Sequence, residues 1–493
     1  MAYGVLLAQF PGVTIPDWLR PALAGGLAGI ILFGENTPDI ETTRRVVAEF
    51  QDAARDAGEP TLIVASDEEG GDVTRIQHVG GSSLPGNAAL GDVDDPELTR
   101  RCAEAYGKLL AYAGLTLTIA PCLDVASEPL NPVIGVRSFG ADPDLVARHG
   151  GAFAAGLRAC GVRSCGKHFP GHGATRTDSH LALPVLDVPL GLLASRDEAP
   201  FACGVDSVMT AHVVVPSLGP DPATLSAWST EHIRALGIEG PIVTDALGMR
   251  AVADLYEMGE AAVRALEAGA DLLCLDSPTG RDPRADFEAA VAGIEAAVDS
   301  GRLSADALRA SHARNLALTG TTPPAEPLHE ILEALDAVGR EAATRAVRTS
   351  GFVRCDPPVV VADLRHRVSV AAGAAPLALA EVLERRGALA RLVRGPLEAI
   401  DAPERVVAVV REPRADDSEA EALALLLAAR PDTVVVHTGL AAAAPDAERI
   451  VYAHGAGRAN AEAVADLLLQ VEPARRAAVR TASASSARAP SPS

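Results

Sequence analysis

Clustered positive charge, long apolar runs and paired cysteines are all missing from this sequence, and each absence narrows what the chain can do. Lys and Arg total 43 against 65 Asp and Glu, a formal net charge of −22. Phosphate contacts need clustered Lys and Arg, so nucleic acid and anionic membrane are poor partners for it. No stretch reaches the ~18 uncharged apolar residues of a membrane span. The opening segment, MAYGVLLAQFPGVTIPDWLR, has no basic n-region, and Gln9 and Pro11 break its apolar run, so it does not read as a secretory signal. Seven cysteines are an odd number, and none form a CxxC pair. Cys160 and Cys165, the nearest two, lack a second pair at zinc-finger spacing. Buried free thiols in a reducing compartment, and hence a cytoplasmic location, are the expectation. What remains is an ordinary composition, 48% hydrophobic and 22% charged. It is rich enough in Val, Leu, Ile and Ala to exclude disorder over most of its length.

At roughly 100–200 residues per domain, the 493 residues suggest two to four domains, or one large barrel plus something smaller. Short, near-continuous apolar runs recur at Gly4–Leu7, Gly29–Phe33, Thr61–Ala65, Leu115–Ala120, Arg163–Gly166, Ser207–Thr210, Pro241–Thr244 and Asp271–Leu275. Runs of this kind suit parallel strands covered on both faces. Helical patterns fall between several of them: Ile40–Ala57, Asp95–Ala113, Asp144–Ala159, Thr230–Leu236 and Glu257–Ala268, with Asp95 and Thr230 as N-caps. Eight strands alternating with helices predict an α/β chain with a (β/α)8 TIM-like barrel over residues 1–320. A doubly wound open sheet is the rival. A helix over Ser304–Leu318 closes the unit. Residues 321–350 read as a loop followed by a linker helix, Leu328–Arg348. A smaller α/β sandwich follows over 351–472, with strands at Val359–Leu364, Val406–Arg411 and Thr433–His437 and helices at Leu377–Arg386 and Ser418–Ala429. Residues 473–493 are Ser/Ala/Pro-rich and read as a disordered tail.

Polar residues cluster just after the strands, where a barrel carries its active site. The third strand leads into Ser66-Asp67-Glu68-Glu69-Gly70-Gly71. The fourth leads to Asp124 and the loop Asn131–Phe139, and the sixth and seventh lead to His212 and Asp245. The loop after the fifth, Lys167–His180, holds three of the twelve histidines within thirteen residues. Asp178 and His180 are two apart, so on an extended segment they share a face. A carboxylate beside an imidazole fixes its tautomer and tunes it as a proton shuttle. From the residues alone two other readings stay open. One is a surface loop with a chance Asp–His pair. The other is a zinc site of His168, His172, His180 and Asp178, although no HExxH or similar spacing supports it.

These segments together resemble the bacterial β-N-acetylglucosaminidases of glycoside hydrolase family 3. KHFPGHGATRTDSHLALP (167–184) is similar to that family's acid/base loop. APCLDVASEPLNPVIGVRSFG (120–140), ASDEEGGDVTRI (65–76), VMTAHVVVP (208–216), PATLS (222–226) and IVTDALGM (242–249) resemble its other signatures, in the family's order. The resemblance covers about residues 5–345. The C-terminal unit is similar, more weakly, to the second domain of two-domain members, best at YAHGAGRAN (452–460).

The resemblance implies a role for each matched residue. Asp245 takes the place of the catalytic nucleophile and His180 that of the general acid/base, with Asp178 orienting it. Asp67, Arg137, Lys167 and His168 take the places of sugar-binding residues, and Arg75 and His212 match positions near the pocket. Asp124 is read as a support for its loop. The implied activity is a retaining exo-β-N-acetylglucosaminidase that removes non-reducing terminal GlcNAc from small glycosides such as peptidoglycan fragments. No cofactor or metal is implied, and no nucleic-acid or membrane partner. A phosphorylase using the same residues and a non-catalytic sugar-binding barrel are the alternatives. The loop SDEEGG, with Ser66 and Glu69, departs from the family's more usual pattern.

Overall fold

The computed structural model describes residues 1–177, 182–276, 280–320, 323–366 and 379–470. Eight short strands form its first sheet: β1 (Leu6–Ala8), β2 (Gly29–Leu32), β3 (Ile63–Ser66), β4 (Leu117–Thr118), β5 (Arg163–Phe169), β6 (Ser207–Thr210), β7 (Ile242–Thr244) and β8 (Leu273–Cys274). All pair in parallel in the order β7-β6-β5-β4-β3-β2-β1-β8, and a bridge between Val243 and Leu272 joins the two ends. The result is a TIM-like barrel, not an open sheet. Its strand residues split between two cores. Leu7, Ile31, Ile63, Ala65, Leu117, Cys165, Met209 and Val243 pack together inside the barrel. Leu6, Ile30, Val64, Val208 and Ile242 pack with helix residues such as Val46, Phe50, Leu109 and Ile233. Burial on both faces is the reason these strands read as unbroken apolar runs.

The surrounding helices begin where the sequence offers carboxylate caps. The side chains of Asp39, Asp95, Asp142 and Asp282 accept backbone N–H groups at the starts of Ile40–Asp56, Pro96–Ala113, Pro143–Ala159 and Pro283–Asp299. The Thr230 cap is not found. That helix starts earlier, at Ala227, and the Thr230 hydroxyl donates instead to the Ala268 carbonyl. No helix among the described residues is long and apolar enough to cross a membrane.

The second sheet has six strands: β9 (Arg348–Ser350), β10 (Val359–Asp363), β11 (Ala390–Arg394), β12 (Arg405–Val410), β13 (Val434–His437) and β14 (Ile450–Tyr452). Their order is β11-β10-β12-β13-β14-β9, parallel except for β9. One face packs with helices Leu379–Arg385 and Arg458–Leu468, the other with Asp417–Ala429, giving an α/β sandwich. The linker helix ends at Ala346, short of the expected Arg348, because residues 348–350 pair with β14. The segment read as a tail, 473–493, lies outside the described residues.

Helix Leu328–Ala346 ties the two sheets together. Its Glu341 and Arg345 pair with Arg101 and Asp95 on the barrel, and its Asp336 pairs with Arg458 of the second unit. Gly339 lies flat against the barrel loop, where an added Cβ would stand 1.8 Å from the Ser83 carbonyl oxygen. Ala normally stabilises a helix interior over Gly by about 1 kcal/mol. Here the backbone clash reverses the sign, and Gly339→Ala should destabilise the chain by about 1–3 kcal/mol. Urea denaturation checks this; a raised midpoint would show that the helix does not rest on Ser83.

Candidate active site

A cavity of about 340 Å³ opens at the carboxyl ends of the barrel strands. Apolar side chains from inside the barrel, Ile31, Ile119 and Met209, line part of it. Asp67, Glu69, Arg75, Arg137, Lys167, His168, His172, Asp245 and Asp276 supply its polar surface. Of the residues singled out from sequence, Asp67, Arg75, Arg137, Lys167, His168 and Asp245 therefore meet in one cavity. His212 is not among the lining residues. It is fully buried, with Nδ1 2.9 Å from the Thr224 hydroxyl and Nε2 2.8 Å from the Ala246 carbonyl, so it holds the backbone next to Asp245. Asp178 and His180 lie outside the described residues.

Three consecutive acids after β3 take three different roles. Asp67 accepts from Lys167 Nζ at 2.7 Å and from Arg75 Nη2 at 3.3 Å. Glu69 receives both Nε and Nη2 of Arg137, at 3.0 and 2.7 Å, and lies 2.7 Å from Lys167 Nζ. Glu68 turns away into the barrel wall. It accepts from the Thr74 hydroxyl, from the N–H groups of Arg75 and Ile76, and from the Tyr106 hydroxyl. Burial works to neutralise all three. It prevails at Glu68, whose carboxyl is pushed up. At Asp67 the nearby Lys167 and Arg75 overcome burial and hold the carboxyl well below the usual range. At Glu69 burial is overcome by Arg137 and Lys167, which draw the carboxyl down to about 2. Lys167 is buried too, yet Asp67 and Glu69 hold its ammonium proton more tightly than usual. A buried charge is tolerable only when paired and hydrogen-bonded. These four charges satisfy that condition mutually, and they stay fixed beside the cavity.

Asp124 organises the next loop. Its carboxylate accepts from His168 Nδ1 at 2.7 Å, from the backbone N–H groups of His168 and His172, and from the Cys122 thiol at 3.1 Å. Burial opposes ionisation of Asp124, but His168 outweighs it and keeps the carboxyl well below its ordinary range. A carboxylate only accepts, so the His168 proton resides on Nδ1. Nε2 lies 3.4 Å from Arg137 Nη2. Asp124 is thus the loop support that the sequence suggested. Cys122, Asp124 and His168 bring metal-ligand atom types within 4.8 Å of one another. Burial keeps the thiol protonated, and shared protons account for the contacts. His172 holds the Thr175 hydroxyl through Nδ1 at 2.8 Å, and burial lowers its imidazole to about 4, so it meets the cavity as a neutral ring. All seven cysteines are free thiols; five are buried as expected, while Cys160 and Cys203 are half-buried.

Asp245 follows β7 directly. Its N–H donates to the Thr210 carbonyl, and its Oδ1 accepts from the Ala246 N–H at 2.8 Å. These bonds hold the carboxyl at the strand end, inside the cavity. Glu69 was not singled out as a site residue from sequence. The signal available was its place in the same acidic loop as Asp67, but one sequence does not show that Arg137 lies opposite.

Residues 18–318 match the glycosyl hydrolase family 3 N-terminal domain. The chain belongs to glycosyl hydrolase family 3. The structure of a family 3 β-N-acetylglucosaminidase from Paenibacillus sp. str. FPU-7 superposes on this glycoside hydrolase with a TM-score of 0.84 and 31% identity, covering 95% of this chain and 96% of that one. A β-hexosaminidase of Xylella fastidiosa is 35% identical over 290 residues, 56% of this chain and 84% of its own. β-Hexosaminidase A of Pseudoalteromonas piscicida is 33% identical over 328 residues, 61% of this chain; the match spans only 54% of that longer protein.

The charge network sets a pH dependence. Asp67 and Glu69 are both depressed in the folded chain. The stability they contribute is complete above their unfolded values near ~4 and is lost as pH falls through the folded values. Glu69→Gln leaves Arg137 and Lys167 short of an anion and should lower stability at pH 7 by about 3 kcal/mol. The loss should shrink markedly at pH 3. Urea unfolding of parent and variant at both pH values measures this, and an equal loss at the two would contradict an ionised, load-sharing Glu69.

Proposed function

We propose that this chain is a retaining exo-β-N-acetylglucosaminidase that removes terminal, non-reducing GlcNAc from small β-glycosides, with peptidoglycan fragments as its substrates and cell-wall turnover as its setting. One observation carries the reading. In a family 3 chain, the Asp245 carboxyl shares a single-ligand cavity with the fixed charges of Asp67, Arg137 and Lys167 and the imidazole of His168. Supporting it are the names of the relatives, β-hexosaminidases and a β-N-acetylglucosaminidase.

In this mechanism the Asp245 carboxylate attacks the anomeric carbon as the bond to the leaving oxygen breaks, giving a glycosyl ester. His180, oriented by Asp178, protonates that oxygen and then deprotonates the water that hydrolyses the ester. Two inversions return the β configuration. The roles of Asp178 and His180 rest on the resemblance of residues 167–184 to the family's acid/base loop. Asp67, Arg75, Arg137, Lys167 and His168 hydrogen-bond the sugar hydroxyls, and charged partners strengthen those bonds. A histidine acid is neutral once it has given up its proton, whereas a carboxylic acid would become an anion. Histidine therefore does not repel a lactyl-bearing leaving group.

Product analysis with aryl β-GlcNAc and GlcNAc–MurNAc, in buffer with and without phosphate, tests the proposal. Free GlcNAc is expected in both; GlcNAc-1-phosphate formed only with phosphate would make the chain a phosphorylase. Asp245→Ala should lower turnover by about three orders of magnitude or more, and activity within roughly tenfold of the parent would remove Asp245 from the nucleophile role. His180→Ala should slow substrates with poor leaving groups by roughly 10²–10⁴-fold and activated aryl glycosides far less. Equal losses on both would count against His180 as the acid.

A further inference from the structure

The segment YAHGAGRAN in the second unit has no part in the mechanism above, yet it contacts the loop that carries Asp67 and Glu69. We infer that the second unit positions the sugar-binding charges through Arg411 and the 454–460 loop, which clamp Asp72 at the tip of the turn after β3.

The turn is tight. The N–H groups of Glu69 and Gly70 both donate to the Val73 carbonyl, and Val73 N–H donates back to Gly70. Asp72 stands at its tip and is turned outward, away from the barrel. Oδ2 accepts from Arg411 Nη1 at 2.7 Å, and Oδ1 accepts from the Ala456 N–H at 2.7 Å. The Asp72 side chain is 1% exposed and that of Arg411 10%. The adjoining contacts hold the next stretch of the same loop. Arg458 Nη2 donates to the Ser83 hydroxyl, Ala459 N–H to the Ser82 carbonyl at 3.2 Å, and Asn460 Nδ2 to the Pro85 carbonyl at 3.1 Å. His454 borders a space about the size of one water molecule, about 10 Å³, whose other walls include Glu69, Asp72 and Arg137. Its buried Nε2 has no hydrogen-bond partner.

The consequence runs in a short chain of contacts. Arg411 fixes Asp72, and Asp72 fixes the turn that begins at Glu69. Glu69 in turn fixes Arg137 and Lys167. Asp72 and Arg411 touch no substrate in this arrangement; they are positioning residues for groups that do. Removing Arg411 leaves the buried Asp72 carboxylate without its cation, and removing Asp72 leaves the buried Arg411 with Glu412 alone, at 3.5 Å; either change is unfavourable. The turn then relaxes, and small displacements of binding groups are costly.

This inference rests on the proposed glycosidase reading for its kinetic test, so the experiment includes a second readout. Asp72→Asn and Arg411→Met are compared with Arg411→Lys in the full chain, by steady-state kinetics on aryl β-GlcNAc and by hydrogen–deuterium exchange. Asp72→Asn keeps an acceptor for the Ala456 N–H and is the milder variant should Arg411→Met fail to fold. We expect KM to rise roughly tenfold with a smaller change in kcat, and Arg411→Lys to recover most of the loss. Amides of residues 67–76 should exchange faster while the strands of the barrel keep the parent's protection. A folded Asp72→Asn variant with the parent's KM and the parent's exchange over 67–76 would overturn the inference. A parent enzyme that turns over no β-GlcNAc glycoside would sink the proposed function and leave the exchange measurement to decide this one.

Discussion

Four charges meet beside the cavity, Asp67 and Glu69 against Lys167 and Arg137, and all but the part-buried Asp67 are buried. None could be buried there alone, since each would lose its hydration without recompense. Together they are mutually compensated, and that mutual dependence governs the surrounding structure. Glu69 must sit on a turn that aims it at Arg137. Arg137 must come from the loop after β4, and Lys167 from the end of β5. Three separate strand ends are thereby drawn to one point. The barrel supplies the radial arrangement that makes such convergence possible, which is why its chemistry gathers at the carboxyl ends of the strands.

A second tier of contacts keeps these groups from moving. Glu68 anchors the turn to Tyr106 and Thr74. Asp124 holds the imidazole and backbone of His168 together with the backbone of His172. His212 holds the residue after Asp245. Each is buried and polar, and each acts on a neighbour that lines the cavity. Preorganisation of this kind matters because binding groups fixed in advance need not be reordered when a ligand arrives.

The barrel strands were legible in sequence because burial on both faces writes an unbroken apolar run. The two edge strands of the second sheet, and the inner strand beside one of them, were not. Its edge strand Ala390–Arg394 exposes Leu392 and breaks its apolar residues with Arg391 and Arg394, so it carries no such signal. Strands Arg348–Ser350 and Ile450–Tyr452 are three residues each, too short to register a period, and the first sits where a helical pattern continues. At the site, Asp67, Arg75, Arg137, Lys167, His168 and Asp245 were singled out by the resemblance of their motifs to a family's signatures, and all six line one cavity. His212 shares such a motif but faces the wall, since which side of a strand end a residue occupies depends on local register. Asp72 lies within the segment 65–76 but was not singled out from sequence. Its partner lies 339 positions away, a separation that no local pattern reveals.

That separation also has a bearing on synthesis. The ribosome completes every strand of the barrel well before Arg411 and the 454–460 loop exist. A nascent barrel can therefore close while the tip of its β3 turn still lacks its final contacts. The hydrogen bonds that the second unit makes to Asp72, Ser83 and Pro85 form only once nearly the whole described chain has emerged.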